Sequence, residues 1–378
     1  MLFRPPALDE KQKVVVARTE GLRRELRYAV GQNPRRWQGL LRRSTFARNI
    51  RGSNSIEGYN VTVEDAIAAA AGEEPQDADA VAWAAVTGYR QAMTYVLQLA
   101  DDPHFRYSAD LLRALHFLMM QYDLSKNPGR WRPGPIFVRD EGTGEVVYQG
   151  PEASLVPGLM EELVTQLEGD TNASGTVLGA MAHLNLALIH PFSDGNGRMA
   201  RCLQTLVLAR TGVLASQFSS IEEYLGRNTR DYYAVLAQVG GGAWHPKRDA
   251  RPWIRFCLTA HFRQATTLLR RSREMEKLWG ALEIEIAHAH LPERTILALA
   301  DAAFGWRVRN TTYRSAAEVS GQLASRDFKA LVNAGLLVPE GERRGRHYVA
   351  SKRLLELRGA TAEDKRVPDP FVGPKGSA

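Results

Sequence analysis

Cysteine is nearly absent. Cys202 and Cys257 are the only two among 378 residues, and neither lies in a CxxC or other metal-ligand spacing. That excludes a disulfide scaffold and a cysteine-ligated zinc centre, and it suits two buried thiols in a reducing cytosol. No stretch approaches the roughly 20 apolar residues of a membrane span. Residues Met1 to Glu10 carry two prolines and acids in place of an apolar secretion signal. The chain therefore reads as cytoplasmic, with no membrane partner. Strand-type alternation is scarce, and there is no internal repeat or low-complexity tract. The Gly-x4-Gly-Lys-Ser/Thr pattern of a P-loop is also missing.

What is present is ordinary globular composition: 44% hydrophobic and 24% charged residues. At roughly 100–200 residues per domain, the length predicts two or three domains. The formal net charge of +7 and a pI of about 9.4 are compatible with phosphate-rich partners, whether nucleotides or nucleic acid.

Helical periodicity dominates. Residues 61–71 open on Thr62, Glu64 and Asp65, a helix-start composition, and stop at Gly72 and Pro75. Apolar residues recur at helical spacing over 79–99 and 109–120. Residues 128–150 are rich in Gly and Pro, and two β-prone runs, 136–138 and 146–148, flank a turn at 140–144. That predicts a hairpin. Helices are predicted again at 152–167, 177–189, 197–209, 222–239 and 252–270. The last third predicts a short helix at 294–300, a helix-turn-helix over 315–323 and 325–335, and two short strands at 336–339 and 347–350. Helix-turn-helix followed by a two-strand wing is the pattern of a winged helix.

The segment His190–Arg201, HPFSDGNGRMAR, carries the chemistry. Gly195 and Gly197 let backbone N–H groups approach a ligand, because no Cβ intervenes. The loop feeds a helix N-terminus, which favours anions. Arg198 and Arg201 share one helical face, and their guanidinium forks suit phosphate oxygens. Asp194 is a hard oxygen ligand of the kind Mg²⁺ accepts beside substrate phosphates. His190 titrates near neutrality and can act as a base.

This segment resembles the Fic family signature, HxFx(D/E)GNGRxxR, with every fixed position filled. The resemblance implies that His190 takes the proton from a target hydroxyl and that Phe192 anchors the loop in the core. It implies Asp194 as the Mg²⁺ ligand and Gly195, Asn196 and Gly197 as the anion hole. Arg198 and Arg201 would bind the β- and γ-phosphates of ATP. Upstream, Ser53, Glu57 and Gly58 in SNSIEG match the family's inhibitory motif, (S/T)xxxE(G/N). A Glu57–Arg201 pair would occupy the γ-phosphate clamp and misalign ATP. The motif precedes the signature, so the resemblance is to members with an N-terminal inhibitory helix.

By the same resemblance, Ile136, Phe137 and Val138 belong to a flap that pairs with an extended target segment. A plain surface hairpin is the other reading of those residues. Asn228, Tyr232 and Tyr233 either line the nucleotide pocket or serve helical packing. Arg326 and Lys329, with Arg343, Arg344, Arg346 and His347 in the wing, suit either DNA phosphates or a protein contact such as a homodimer.

The expectation is a mainly α protein. It comprises an N-terminal helical region with an inhibitory helix (1–100), a Fic helical core with a small hairpin flap (101–240), a helical linker (241–290), a winged helix-turn-helix domain (291–358) and a disordered tail (359–378). The implied activity is adenylyl transfer from ATP-Mg²⁺ to a hydroxyl of a target protein or of the chain itself. The alternatives are transfer of another phosphate-linked group such as UMP, or a nucleotide-sensing DNA-binding regulator.

Overall fold

The computed structural model describes residues 1–31, 36–73, 75, 77–139, 142–169, 174–211, 216–342 and 345–372. Asp140 and Glu141 of the expected turn, Arg343 and Arg344 of the expected wing, and residues 373–378 of the tail lie outside these. The chain divides into two compact units. The first holds residues 1–28, 44–266 and 367–378, and the second 29–43 and 267–366.

Sixteen α-helices are described. They are α1 (Glu10–Gly31), α2 (Arg36–Ile56), α3 (Val63–Ala71), α4 (Ala80–Leu99), α5 (Ala109–Met120), α6 (Val156–Gly169), α7 (Gly175–Ile189) and α8 (Asn196–Arg210), followed by α9 (Ser216–Ser219), α10 (Glu222–Arg227), α11 (Thr229–Gly240), α12 (Arg251–His288), α13 (Ile296–Ala303), α14 (Asn310–Ala317), α15 (Gly321–Asn333) and α16 (Lys352–Ala360). Two antiparallel hairpins complete the fold: β1 (Phe137–Arg139) with β2 (Val146–Gln149), and β3 (Leu337–Glu340) with β4 (His347–Ala350). The protein is mainly α, as the sequence predicts.

Local chemistry sets most boundaries. Thr62 accepts from the Asp65 N–H and starts α3, and Gly72 ends it in the left-handed conformation. Asp79 caps α4 and Ser108 caps α5 in the same way. Gly88 of α4 passes so close to α5 that a Cβ there would lie 2.4 Å from the Met119 carbonyl oxygen. The centre of the first unit is α7 against α8. α7 is apolar nearly all round, and Val177, Ala180, Met181, Leu184, Leu188 and Ile189 are buried. A helix of that kind belongs in the middle of a core.

Three helical boundaries differ from expectation. Residues 222–239 are two helices rather than one. Asn228 leaves helical geometry (φ −128°, ψ 39°), and its Nδ2 donates to the Tyr224 carbonyl. A short amide side chain competes with the backbone in this way. α12 extends beyond residue 270 because Met275, Leu278, Leu282 and Ile286 carry the buried stripe onward. The helix-turn-helix break lies at Glu318–Ser320 rather than near residue 324. Glu318 is left-handed, Ser320 caps α15 through the Leu323 N–H, and Ala324 is buried inside the helix.

In the second unit Asp327 of α15 is buried. It accepts a two-bond fork from Arg294 and a bond from the Tyr313 hydroxyl. Phe328 stacks on Tyr348 of β4 at 4.1 Å. Val308 adds an isolated antiparallel bridge to Tyr348. Residues 361–372 follow α16 without helix or strand, and Arg273 and Lys277 both pair with Glu363.

Candidate active site

The site is built where α7 stops. His190 takes a left-handed conformation (φ 53°, ψ 60°), and its N–H caps α7 on the Leu186 carbonyl. That turn is unfavourable for a residue with a Cβ, by roughly 1–2 kcal/mol. Its ring Nδ1 lies 3.1 Å from the Ala187 carbonyl oxygen. A carbonyl can only accept, so Nδ1 carries the proton and Nε2 keeps its lone pair. The ring is half-buried. Burial holds its pKa below the ordinary histidine value. The Ala187 bond and the Glu57 charge oppose that shift, Arg132 reinforces it, and Asp194 opposes it.

The loop that follows is fixed from within. Asn196 grips Phe192 twice, its Oδ1 accepting from the backbone N–H and its Nδ2 donating to the carbonyl, both at 2.9 Å. The Asn196 side chain is therefore spent on the loop, and the backbone alone remains for a ligand. Phe192 is fully buried, and His116 of α5 stacks on it at 3.6 Å with the rings 2° from parallel. His116 Nδ1 accepts from the Gly129 N–H, and its Nε2 donates to the Asp194 carbonyl. Burial pushes its pKa down to about 4. Gly195 is left-handed (φ 73°) and begins α8, and a Cβ there would meet the Met120 sulfur at 3.0 Å.

Arg198 and Arg201, in the first two turns of α8, are both buried. Arg198 reaches the Tyr122 hydroxyl and the Met120 sulfur, and its guanidinium lies 4.9 Å from the Tyr59 ring centroid. Arg201 donates through Nε to the Ser53 hydroxyl at 2.7 Å. Its NH2 group donates to the Ser53 carbonyl at 3.0 Å and to Glu57 Oε1 at 2.7 Å. Its NH1 is buried without a partner among the described residues. Burial alone would depress the Arg201 pKa, but the Glu57 charge, the neighbouring Tyr232 and Tyr89 and the Glu57 hydrogen bond together raise it. A second carboxylate, the fully buried Glu222, accepts from Thr205. Burial pushes Glu222 up to about 7, against the pull of Arg201 and the Thr205 bond.

Glu57 follows the last turn of α2, and Gly58 turns the chain away at φ 80°. A Cβ added to Gly197 would lie 2.3 Å from Glu57 Oε1 and 3.1 Å from Arg201 NH1. The Glu57 carboxylate thus fills the space over the first turn of α8, where the helix offers unpaired N–H donors. α2 is held close to α10 by paired glycines. A Cβ on Gly52 would strike the Glu222 carbonyl at 2.5 Å, and one on Gly226 would strike the Gly52 carbonyl at 2.6 Å.

Asp194 is about one-third exposed. Its Oδ1 accepts from the Gly195 N–H and its Oδ2 lies 3.8 Å from Lys126 Nζ. No cluster of three or more metal-ligating side chains occurs among the described residues. A lone carboxylate still fits Mg²⁺ that arrives with phosphates and keeps waters.

Of the residues singled out from sequence, the structure brings together His190, Asp194, Gly195, Gly197, Arg198, Arg201, Ser53 and Glu57. Tyr232 lies beside Arg201. It is fully buried, and its hydroxyl lies 2.9 Å from His183 Nε2 in the core. Asn228 spends its amide on Tyr224. Tyr233 donates to the Ile56 carbonyl and so holds the end of α2. In the hairpin, Phe137 is exposed, Val138 packs on the core, and Ile136 accepts from the Gly150 N–H. Sequence reasoning missed His116 and Arg132, which act on loop carbonyls distant in sequence. The WRPG run inside the Gly/Pro-rich stretch was the one available signal for Arg132.

Fold and site together define a helical core in which a histidine turn and a glycine-containing loop feed a helix with two buried arginines in its first turns. Residues 106–208 match the model of the Fic/DOC family, so the chain carries a Fic/DOC domain. The chain is similar to a protein adenylyltransferase Fic of Nematostella vectensis, 26% identical over 226 residues, which is 57% of this chain and 46% of that protein. It is also similar to protein adenylyltransferase fic-1 of Caenorhabditis elegans, 41% identical over 175 residues, 45% of this chain and 30% of that one. The matched stretches thus span less than half the length of these curated relatives. Among solved structures, a Fic family protein from Desulfovibrio desulfuricans G20 superposes with a TM-score of 0.56 at 23% identity, over 92% of this chain and 98% of that one. The fold is the Fic fold.

Proposed function

We propose that this chain is a protein adenylyltransferase that transfers AMP from ATP-Mg²⁺ to a hydroxyl side chain, on a target protein or on itself, and that Glu57 inhibits it. The observation that carries the reading is the Glu57 carboxylate over Gly197, paired with Arg201 at 2.7 Å. The chain itself puts an anion in the cradle, which is what a phosphate oxygen would need there. The similarity to proteins named adenylyltransferases supports the nature of the group transferred.

The chemistry follows from the residues. His190 Nε2 is free, because Nδ1 is held by Ala187. It takes the proton as the target oxygen forms a bond to the α-phosphorus. The bond from that phosphorus to the α–β bridging oxygen breaks, and pyrophosphate leaves. Arg198 and Arg201 hold the β- and γ-phosphates through planar forks. The first N–H groups of α8 accept negative charge beside them. Asp194 would hold Mg²⁺, which when bound neutralises phosphate charge. Exposed Phe137 and the β1 edge would take the extended target segment as a further strand.

Incubation of wild type and Glu57→Gly with α-labelled ATP, UTP, GTP and CTP tests the reading. Transfer from ATP, larger in the variant and lost in His190→Ala, supports it. Transfer surviving His190→Ala rejects His190 as the base, and preference for UTP replaces AMP with UMP.

We further propose that residues 291–358 are a winged helix that contacts DNA. Gln322, Ser325, Arg326, Lys329 and Asn333 form the exposed stripe of α15, while its acid, Asp327, is buried on Arg294. A stripe of cations and amides without an acid suits phosphates and base edges. In the hairpin, His347 is paired with Glu340, so it is a weaker candidate. Binding to duplex DNA that is insensitive to salt would reject this contact.

A further inference from the structure

The C-terminal end of α7 points several carbonyls into a low-dielectric site, and their partners come from one region. Arg132 lies between α5 and β1 and is 4% exposed. Its backbone N–H donates to the Pro191 carbonyl at 2.9 Å, and its Nε donates to the His190 carbonyl at 2.8 Å. NH1 donates to the Gly134 carbonyl, which leads into β1, at 2.6 Å. NH2 donates to the Pro151 carbonyl, just after β2. One guanidinium therefore holds both feet of the flap hairpin and the backbone of His190, and no carboxylate is among its partners. A second tie runs in parallel: the Tyr148 hydroxyl of β2 donates to the Leu188 carbonyl at 2.7 Å. Gly150 lies beneath both. A Cβ on it would meet Ile136 at 2.7 Å, Arg132 NH2 at 3.3 Å and the Ile189 carbonyl at 3.4 Å.

We infer that Arg132, with Tyr148, is a positioning residue that couples the flap to His190, so that seating a target strand on the hairpin and aligning the base are one event. The fixed fork of Arg is required, because three carbonyls in different directions must be met at once. A lysine ammonium can reach one or two of them but cannot bridge all three from one plane. The left-handed turn at His190 persists because the surroundings over-determine it. Arg132 supplies two of those constraints, through Nε to His190 and its own N–H to Pro191. This inference rests on the transferase reading for its consequence, though not for its structural content.

The test uses Arg132→Lys and Tyr148→Phe in the full Glu57→Gly chain, with two readouts. The first is amide hydrogen exchange. In Arg132→Lys, exchange of residues 135–150 and of 187–194 should rise together, by about tenfold, with α8 unchanged. Tyr148→Phe, which loses a single hydroxyl, should show the same two-segment pattern to a smaller degree. The second is label transfer. For Arg132→Lys, kcat should fall by about 100-fold while nucleotide affinity stays within about twofold. Loosening of the flap alone or of the loop alone would overturn the coupling, as would no change in either segment. If Arg132→Lys loosens the whole chain, Tyr148→Phe decides by the same two-segment criterion. If the exchange pattern appears but the Glu57→Gly parent transfers no label, the transferase reading fails and the coupling stands.

Discussion

Under the proposed function, replacing Glu57 should raise adenylyl transfer, and the size of the effect can be worked from its contacts. Glu57 makes one charge-assisted bond at 2.7 Å to a guanidinium whose side chain is fully buried, and is itself 23% exposed. Such a bond contributes roughly 1.5–3 kcal/mol. A triphosphate that must displace it loses about 10- to 100-fold in affinity for the productive pose. Nucleotide that binds without displacing it sits out of line, and a misplacement of about 1 Å costs on the order of 100-fold in rate. Glu57→Gly should therefore raise transfer by about 100-fold or more. Glu57→Gln keeps the shape and an amide acceptor for the guanidinium but removes the opposing charge, so it should land between the two. The assay is transfer of α-labelled ATP, with calorimetry to follow nucleotide binding. Glu57→Gly no more active than wild type, with nucleotide binding intact, refutes the reasoning.

His190→Ala should abolish transfer and leave nucleotide affinity within about threefold, because the cradle is built from backbone and arginines; calorimetry beside the label assay checks both parts. A base must be unprotonated, and burial lowers the pKa of His190 below the ordinary value. Its acid limb in kcat/KM should therefore fall below pH about 6.5. It should move lower still in Glu57→Gly, which removes a charge that raises the value. Stability should fall in acid, because His116 is neutral when folded (about 4) and near 6.5 when unfolded, so the unfolded chain binds more protons as pH falls through that window. The loss is on the order of 3 kcal/mol by pH 4, and buried His183, depressed to about 3, adds in the same sense. Urea midpoints between pH 7 and 4 measure it. Arg326→Ala or Lys329→Ala should weaken DNA binding and reduce the magnitude of the salt slope by about 1.

Much of the site was legible because its parts lie within a dozen residues. His190, Asp194, the glycines and the arginines sit on one turn and the helix it feeds, so spacing alone places them. Ser53 and Glu57 were legible by resemblance, and their distance from Arg201 needed the fold. Helix starts at Thr62 and Ser108 follow from side chains that cap locally. The break at Asn228 and the turn at Glu318–Ser320 were missed because hydrophobic periodicity continues across them while the backbone does not. Tyr232 stayed open between two readings because an aromatic hydroxyl suits a pocket or a core equally, and its partner, His183, is 49 residues away. Arg132 sits in a stretch without periodicity, and two of its three guanidinium acceptors are carbonyls 19 and 58 residues distant. Backbone acceptors carry no residue-type signal for a pattern to detect.

The most direct measurement is a crystal structure of the Glu57→Gly chain with ATP and magnesium. The account predicts the β- and γ-phosphates on Arg198, Arg201 and the first turn of α8, metal density at Asp194, and His190 Nε2 facing the open side of the α-phosphorus. Nucleotide bound elsewhere, or a His190 ring turned into the core with α8 bare, would contradict it.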